Sequence, residues 1–212
     1  MLEGLEREQV EQTVHRCGNL RHVSALAKSE GLTLEQIAET IAFMREGVLA
    51  DLMRGPFVEK PLLNPPREYG WPTRFSNGDW PVYYGALDES VALAEVSFHF
   101  RNSAREDEGD RRPRHYSVVR CTFSGQAINL VARSGQLGWE GLTSDAYTFC
   151  QALGAEAQTT ALDGFLTPSA RADGANLPVF VATTLSRPEI GGTIRLLYDA
   201  ALDEVRVERV AD

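Results

Sequence analysis

Five residues in two separated stretches have side chains that could do chemistry together. In the run VALAEVSF (91–98) one carboxylate, Glu95, interrupts an apolar sequence. A helix starting near Asp88 places Val91, Ala94, Glu95 and Phe98 on one face. The opposite flank, with Leu93, Val96 and Phe100, is apolar too. An ionised carboxylate covered on most sides costs several kcal/mol unless it is hydrogen-bonded or meets a cation, an expense that a functional site justifies. The alternative is a glutamate that reaches solvent at a helix edge. Upstream, Arg74 precedes the turn-rich SNGD (76–79). A guanidinium there can clamp an oxyanion or a phosphate with two parallel hydrogen bonds, or make a surface ion pair. Tyr83 and Tyr84 alternate in facing along a strand, so one points inward, as a core residue or a site residue. In DGFLTPSARADGANLPVF (163–180) Ser169 and Arg171 can offer a hydroxyl and a cation to a phosphate. A capping serine and a surface arginine are the plainer reading. Gly174 and Asn176 suggest turn geometry before a strand.

Other constellations are weak. The four histidines, His15, His22, His99 and His115, have no metal-ligand spacing, and no GxSxG elbow accompanies them. GQLGWEG (135–141) is not a dinucleotide fingerprint, because no strand precedes it and no helix follows. There is no Walker loop. A resident metal or cofactor is therefore not expected.

Composition sets the frame for these residues. The chain has 212 residues, 43% hydrophobic and 24% charged, as in an ordinary soluble globular protein with one real core. A net charge of −9 argues against a broad footprint for nucleic acid or anionic lipid, though not against one anion in a local basic pocket. No apolar run approaches the roughly 20 residues of a membrane span. The polar start MLEGLEREQVEQ does not read as a secretory signal. Three cysteines, far apart and without Cys-x-x-Cys spacing, fit a reduced cytoplasm.

The elements that must position the candidates follow from periodicity. Residues 5–50 read as helical. In LTLEQIAETIAFMREG, Leu34, Ile37, Ala38, Ile41 and Met44 fall at helical spacing, with Thr33 and Gln36 as a capping box. A preceding helix at 19–29 makes a pair that resembles a helix-turn-helix. It is acidic and lacks a basic recognition face, so a plain helical hairpin is expected. Gly55-Pro56 and NPPREYGWP (64–72) mark the passage to a second region. There, strands are expected at PVYYGA, HYSVVRCTF, AINLV, LPVFVATTL, TIRLLYD and EVRVERV, with helices at 88–100 and 144–154. The stretch 101–115 mixes both charge signs and reads as a solvated loop, not a nucleic-acid patch. The class is α+β, with residues 1–53 as a helical extension.

Taken together, RFSNGDWPVYYGALDESVALAEV (74–96) and DGFLTPSARADGANLPVF resemble the two central motifs of the RES domain family, named for its arginine, glutamate and serine. Arg74, Tyr84 and Glu95 fall on the first motif and Ser169 on the second. The segment SDAYTFCQALGAE resembles the family's intervening helix, which often carries an Asp at its start. The likeness covers about residues 54–205, and residues 54–212 are expected to form the domain. It departs from the pattern at the family's first arginine, for which Arg54 is the candidate and Arg67 a weaker one.

The resemblance implies an ADP-ribosyltransferase-like split β-sandwich with flanking helices. It also implies a toxin of a toxin–antitoxin pair that cleaves the nicotinamide–ribose bond of NAD+, by phosphorolysis or hydrolysis. NAD+, and possible inorganic phosphate, would be substrates, with no permanently bound cofactor. The partner would be an antitoxin of the helix-turn-helix (Xre) type, with no direct nucleic-acid or membrane contact. Within this reading Glu95 stabilises the developing ribosyl cation. Arg74 clamps the pyrophosphate or phosphate, Tyr84 contacts the ribose, and Ser169, with Arg171 and Arg54, serves a phosphate or orients the nucleophile. Protein ADP-ribosylation is the alternative activity. A non-catalytic module binding a nucleotide or a partner is the alternative of another class.

Overall fold

The computed structural model describes residues 1–19 and 72–210. The expected helices after residue 19, and the candidates Arg54 and Arg67, lie outside them. Among the described residues there are seven strands and two α-helices. In chain order these are β1 (Arg7–Asn19), β2 (Tyr83–Ala86), α1 (Glu89–Glu106), β3 (Arg114–Asn129), α2 (Thr148–Thr159), β4 (Gly164–Pro168), β5 (Ala175–Val179), β6 (Leu185–Asp199) and β7 (Glu204–Val210). The α+β expectation holds.

All strands belong to one sheet, ordered β1-β2-β5-β4-β3-β6-β7, and β1 also pairs with β3. That extra pairing bends β1, β2, β5, β4 and β3 into a barrel-like ring. β3 is its spine. One edge runs antiparallel to β1 from Arg7↔Ile128 to Asn19↔Tyr116. The other edge is shared, with β6 along its first part and β4, in parallel, at Ala127–Asn129. A parallel neighbour needs a crossover, and α2 supplies it between β3 and β4.

The helical expectation for residues 5–50 is corrected in its first part, because Arg7–Asn19 is a strand. Val10 and Val14 are buried there. Two apolar residues four apart satisfy both a helical stripe and every second inward position of a strand, so local pattern could not decide. The unbroken ladder to β3 does. Two other boundaries move for the same kind of reason. HYSVVRCTF and AINLV join into the single strand β3, and LPVFVATTL divides between β5 and β6. The helix expected at 88–100 runs on to Glu106, because Phe100 and Ala104 continue the buried stripe. The stretch 101–115, expected as a solvated loop, is therefore helical in its first part; Arg105, in the last turn of α1, pairs with the distant Asp203, and Arg111, beyond the helix, pairs locally with Glu108.

Four apolar clusters hold the layers among the described residues, the smallest formed by Ala86, Val91 and Ala92. Val14, Tyr83, Phe123, Leu177 and Val179 fill the ring. Phe100, Tyr116, Val118, Ile194 and Leu196 lie between α1 and the sheet. Phe75, Leu142, Leu153, Phe165 and neighbours lie beneath α2. No helix among the described residues is long and apolar enough to cross a membrane.

α2 approaches the Arg74–Phe75 turn so closely that a Cβ on Gly154 would stand 2.0 Å from the Phe75 carbonyl oxygen. Gly→Ala in a helix interior ordinarily gains about 0.5–1 kcal/mol. Here overpacking costs about 1–3 kcal/mol and wins. Gly154→Ala is expected to lower the thermal midpoint by several degrees, against the usual sign, as calorimetry would show.

Candidate functional site

Glu95 sits on α1, whose face carries Val91 one turn earlier. Across from it lies the connection between β4 and β5. Ser169 begins that connection, its N–H donating to the Gly174 carbonyl at 2.9 Å. Gly174 has φ +139°, and a Cβ there would meet Val91 Cγ2 at 2.6 Å. Only glycine allows both the backbone shape and the contact with α1. This contact sets Ser169 and Asn176 against Glu95.

The carboxylate is then satisfied on one oxygen. Glu95 Oε1 accepts from Ser169 Oγ at 3.0 Å and from Asn176 Nδ2 at 2.7 Å. Ser169 Oγ itself accepts the Arg171 N–H at 3.1 Å. The Ser169 proton therefore serves Glu95, and a phosphate seeking that proton would compete with the carboxylate. Asn176 Nδ2 also donates to Tyr84 Oη at 3.0 Å. Asn176 is completely buried, at the register position paired with Thr167. Of the two adjacent tyrosines, Tyr83 is the core residue and Tyr84 the site residue. Burial, reinforced by the Glu95 charge, raises the Tyr84 phenol above its ordinary range, so it stays protonated at neutral pH.

The arginines hold the other side. Arg74 is buried, 5% exposed, in a turn closed by bonds between Thr73 and Ser76. Phe75 anchors the turn in the core, and Gln151 of α2 donates to the carbonyls of Thr73 and Ser76. The Arg74 guanidinium donates to the Leu142 and Ser144 carbonyls and lies 4.8 Å from the Tyr147 ring centroid. None of these partners is an anion, so its charge is available. Arg74 makes no hydrogen bond to Glu95 or Ser169 among the described residues; it acts on the site through its field on Tyr84 and His99. Arg171 lies 3.5 Å from the Phe98 ring centroid and pairs with Asp145 at 2.7 Å. The guanidinium holds the exposed Asp145 carboxyl below its ordinary range.

Arg74, Tyr84, Glu95, Ser169 and Arg171 thus belong to one neighbourhood, with the carboxylate and phenol at its centre and two cations around them. Sequence reasoning missed Asn176 as a donor, reading it as a turn residue. It also missed Tyr147 and Phe98 as ring platforms for the arginines. Phe98 was legible as a neighbour of Glu95 on the same helix face; Tyr147 carried no signal. Among the described residues no cluster of His, Cys, Asp and Glu could hold a metal ion.

The architecture and this cluster define an α+β protein whose strand-and-helix frame presents one carboxylate among cations. The RES domain model matches residues 49–199, and the chain belongs to that family. Among solved structures it is similar to the crystal structure of the M. tuberculosis MbcT–MbcA toxin–antitoxin complex. The TM-score is 0.51 at 16% identity, over 93% of this chain and 89% of that one, a likeness of fold. No curated protein matches the chain.

Gly174→Ala should lower stability by about 2 kcal/mol through strain and overpacking. Ser169→Ala, which removes one hydrogen bond to a charged group, should cost about 1.5 kcal/mol. Denaturant unfolding of both variants checks the order, and a larger loss for Ser169→Ala would contradict the positioning role of Gly174.

Proposed function

We propose that this RES-domain chain is the toxin of a toxin–antitoxin pair and that it consumes NAD+ by breaking the nicotinamide–ribose bond. The observation that carries the proposal is the Glu95 carboxylate, held on Oε1 by Ser169 and Asn176. Breaking the N-glycosidic bond sends its electron pair to the nicotinamide nitrogen and neutralises that ring. Positive charge develops on the ribose as an oxocarbenium-like centre, as in glycoside cleavage. A pre-positioned carboxylate stabilises that centre without reorganising, and a neutral leaving group needs no general acid. The single carboxylate at the heart of the site suits this chemistry.

The cations suit the rest of the substrate. Arg74, buried against carbonyls and the Tyr147 ring, offers its charge to the pyrophosphate or to an incoming phosphate. Arg171 offers a second cation beside it once it exchanges Asp145 for a phosphate oxygen. Phosphate attack at the ribosyl carbon forms a C–O bond and yields ADP-ribose 1″-phosphate and nicotinamide. Water instead yields ADP-ribose and a proton. An ADP-ribosyltransferase-like core and an Xre-type helix-turn-helix antitoxin belong to the same reading, supported by the family and by the complex in which MbcT was solved.

The test is mass analysis of products after incubating the purified chain with NAD+, with and without inorganic phosphate. Phosphate-dependent ADP-ribose 1″-phosphate would identify a phosphorylase, and phosphate-independent ADP-ribose a hydrolase. ADP-ribose attached to protein would identify the transferase alternative. Intact NAD+ with a folded protein would favour a binding module. Glu95→Gln keeps an acceptor for Ser169 and Asn176 but removes the charge. It is expected to lower the rate of nicotinamide release by at least about 10²-fold with little change in the thermal midpoint.

A further inference from the structure

The donors and acceptors around Asn176 can be counted among the described residues. A side-chain amide has two N–H donors and one carbonyl acceptor. Both hydrogens are spent, on Glu95 Oε1 at 2.7 Å and on Tyr84 Oη at 3.0 Å. Because Nδ2 can only donate, Tyr84 Oη must be the acceptor, and its own proton is not used in that bond. No acceptor takes that proton among the described residues, and none of the hydrogen bonds there engages Glu95 Oε2. Among the described residues the amide carbonyl, Asn176 Oδ1, is buried without a partner, as is the hydroxyl of Thr167 on the neighbouring strand. An orphaned buried carbonyl destabilises the fold, because it has given up water without gaining a partner. Turning the amide over would put the NH2 where the carbonyl now lies, but would aim a carbonyl at the carboxylate. The fold therefore keeps the amide orientation that serves Glu95 and Tyr84 and accepts the unsatisfied atom behind it.

We propose that Asn176 is a positioning residue that presents the substrate with one acceptor and one donor side by side, Glu95 Oε2 and the Tyr84 hydroxyl proton. Such a pair is complementary to the vicinal hydroxyls of a ribosyl ring: one hydroxyl donates to the carboxylate and the neighbouring oxygen accepts from the phenol. The proposal rests on the NAD+ reading and specifies what the site recognises on the ribose. Serine in place of asparagine has one proton and could not donate to Glu95 and Tyr84 together. Glu95, Arg74, Arg171, Tyr84, Cys150 of α2 and, one turn along α1, His99 are the charged and titratable groups whose fields meet here among the described residues.

The experiment compares wild type, Asn176→Ala and Asn176→Asp. Nicotinamide release from NAD+ is followed from pH 5.5 to 8.5 with kcat and KM separated, and ADP-ribose binding is measured by calorimetry. In Asn176→Ala, kcat should fall at least about tenfold, because a misoriented carboxylate loses transition-state stabilisation, and the ADP-ribose dissociation constant should rise, because the pair facing the ribose hydroxyls is no longer held. Asn176→Asp is isosteric and leaves no cavity, and circular dichroism at each pH confirms that both variants are folded where activity is compared. It places two carboxylates in contact, which together hold a proton more tightly than either alone. Its activity relative to wild type should therefore be lowest at pH 8.5 and recover at least about fivefold toward pH 5.5, where the shared proton restores one donor. The wild-type profile, which includes any titration of His99, is the reference. An aspartate variant that follows the wild-type profile, or a folded alanine variant within threefold of wild type, would overturn the proposal and leave the NAD+ reading intact. If wild type binds ADP-ribose without cleaving NAD+, the catalytic reading fails, and the same comparison is made on the dissociation constants. If wild type does neither, both fall together.

Discussion

A carboxylate that is partly withdrawn from water must be given hydrogen-bond donors, and at Glu95 those donors come from far along the chain. Ser169 and Asn176 are separated from Glu95 by 74 and 81 positions. No local structure can supply them. Helix α1 and the β4–β5 connection must therefore dock to within van der Waals contact, and much of the architecture serves that docking. The pairing of β5 with β2 sets Asn176 opposite Ala86 and brings Tyr84 to the same amide. Gly174 removes the one side chain that would hold the connection away from Val91. A charge that would otherwise cost several kcal/mol becomes an oriented group with one oxygen anchored.

The cations are held by a different device. Arg74 and Arg171 each lie over an aromatic ring, Tyr147 and Phe98. A guanidinium over a ring face is weakly hydrated and geometrically fixed, yet its charge is not neutralised. Arg74 adds two carbonyl acceptors and Arg171 one exposed carboxylate, Asp145. The contrast with the arginines of 101–115 is instructive. Arg105 and Arg111 pair with acidic residues at the surface, where such pairs contribute little and attract no ligand. The overall negative charge of the chain is thus compatible with a local site for an anion.

Stability and function pull against each other at Asn176. Among the described residues its buried carbonyl has no partner, and neither has the Thr167 hydroxyl at the paired position on β4. A core designed for stability alone would replace both with apolar groups. The pair is explained by what the amide's other end does. By contrast, the packing around Gly154 is a purely structural economy: the close approach of α2 fixes the turn that carries Arg74.

The sequence by itself offered five candidate site residues and the elements that carry them. Glu95 in an apolar helical stripe, Arg74 in a turn, one inward tyrosine of the Tyr83–Tyr84 pair and Ser169 beside Arg171 were all legible, because each depends on a period or a turn signal within a few residues. The strand-rich second region and its two helices were legible for the same reason. What only the tertiary structure decided were the features set by distant partners. Residues 7–19 became a strand because β3 offers a continuous ladder, while Val10 and Val14 alone fit either period. Tyr84 rather than Tyr83 faces the site because β2 is paired on β5. Asn176 became a donor, and not a turn residue, because a buried amide takes its role from whatever polar atoms the fold aims at it. Local periodicity records which residues are apolar neighbours; it holds no record of which distant atoms will need a hydrogen bond.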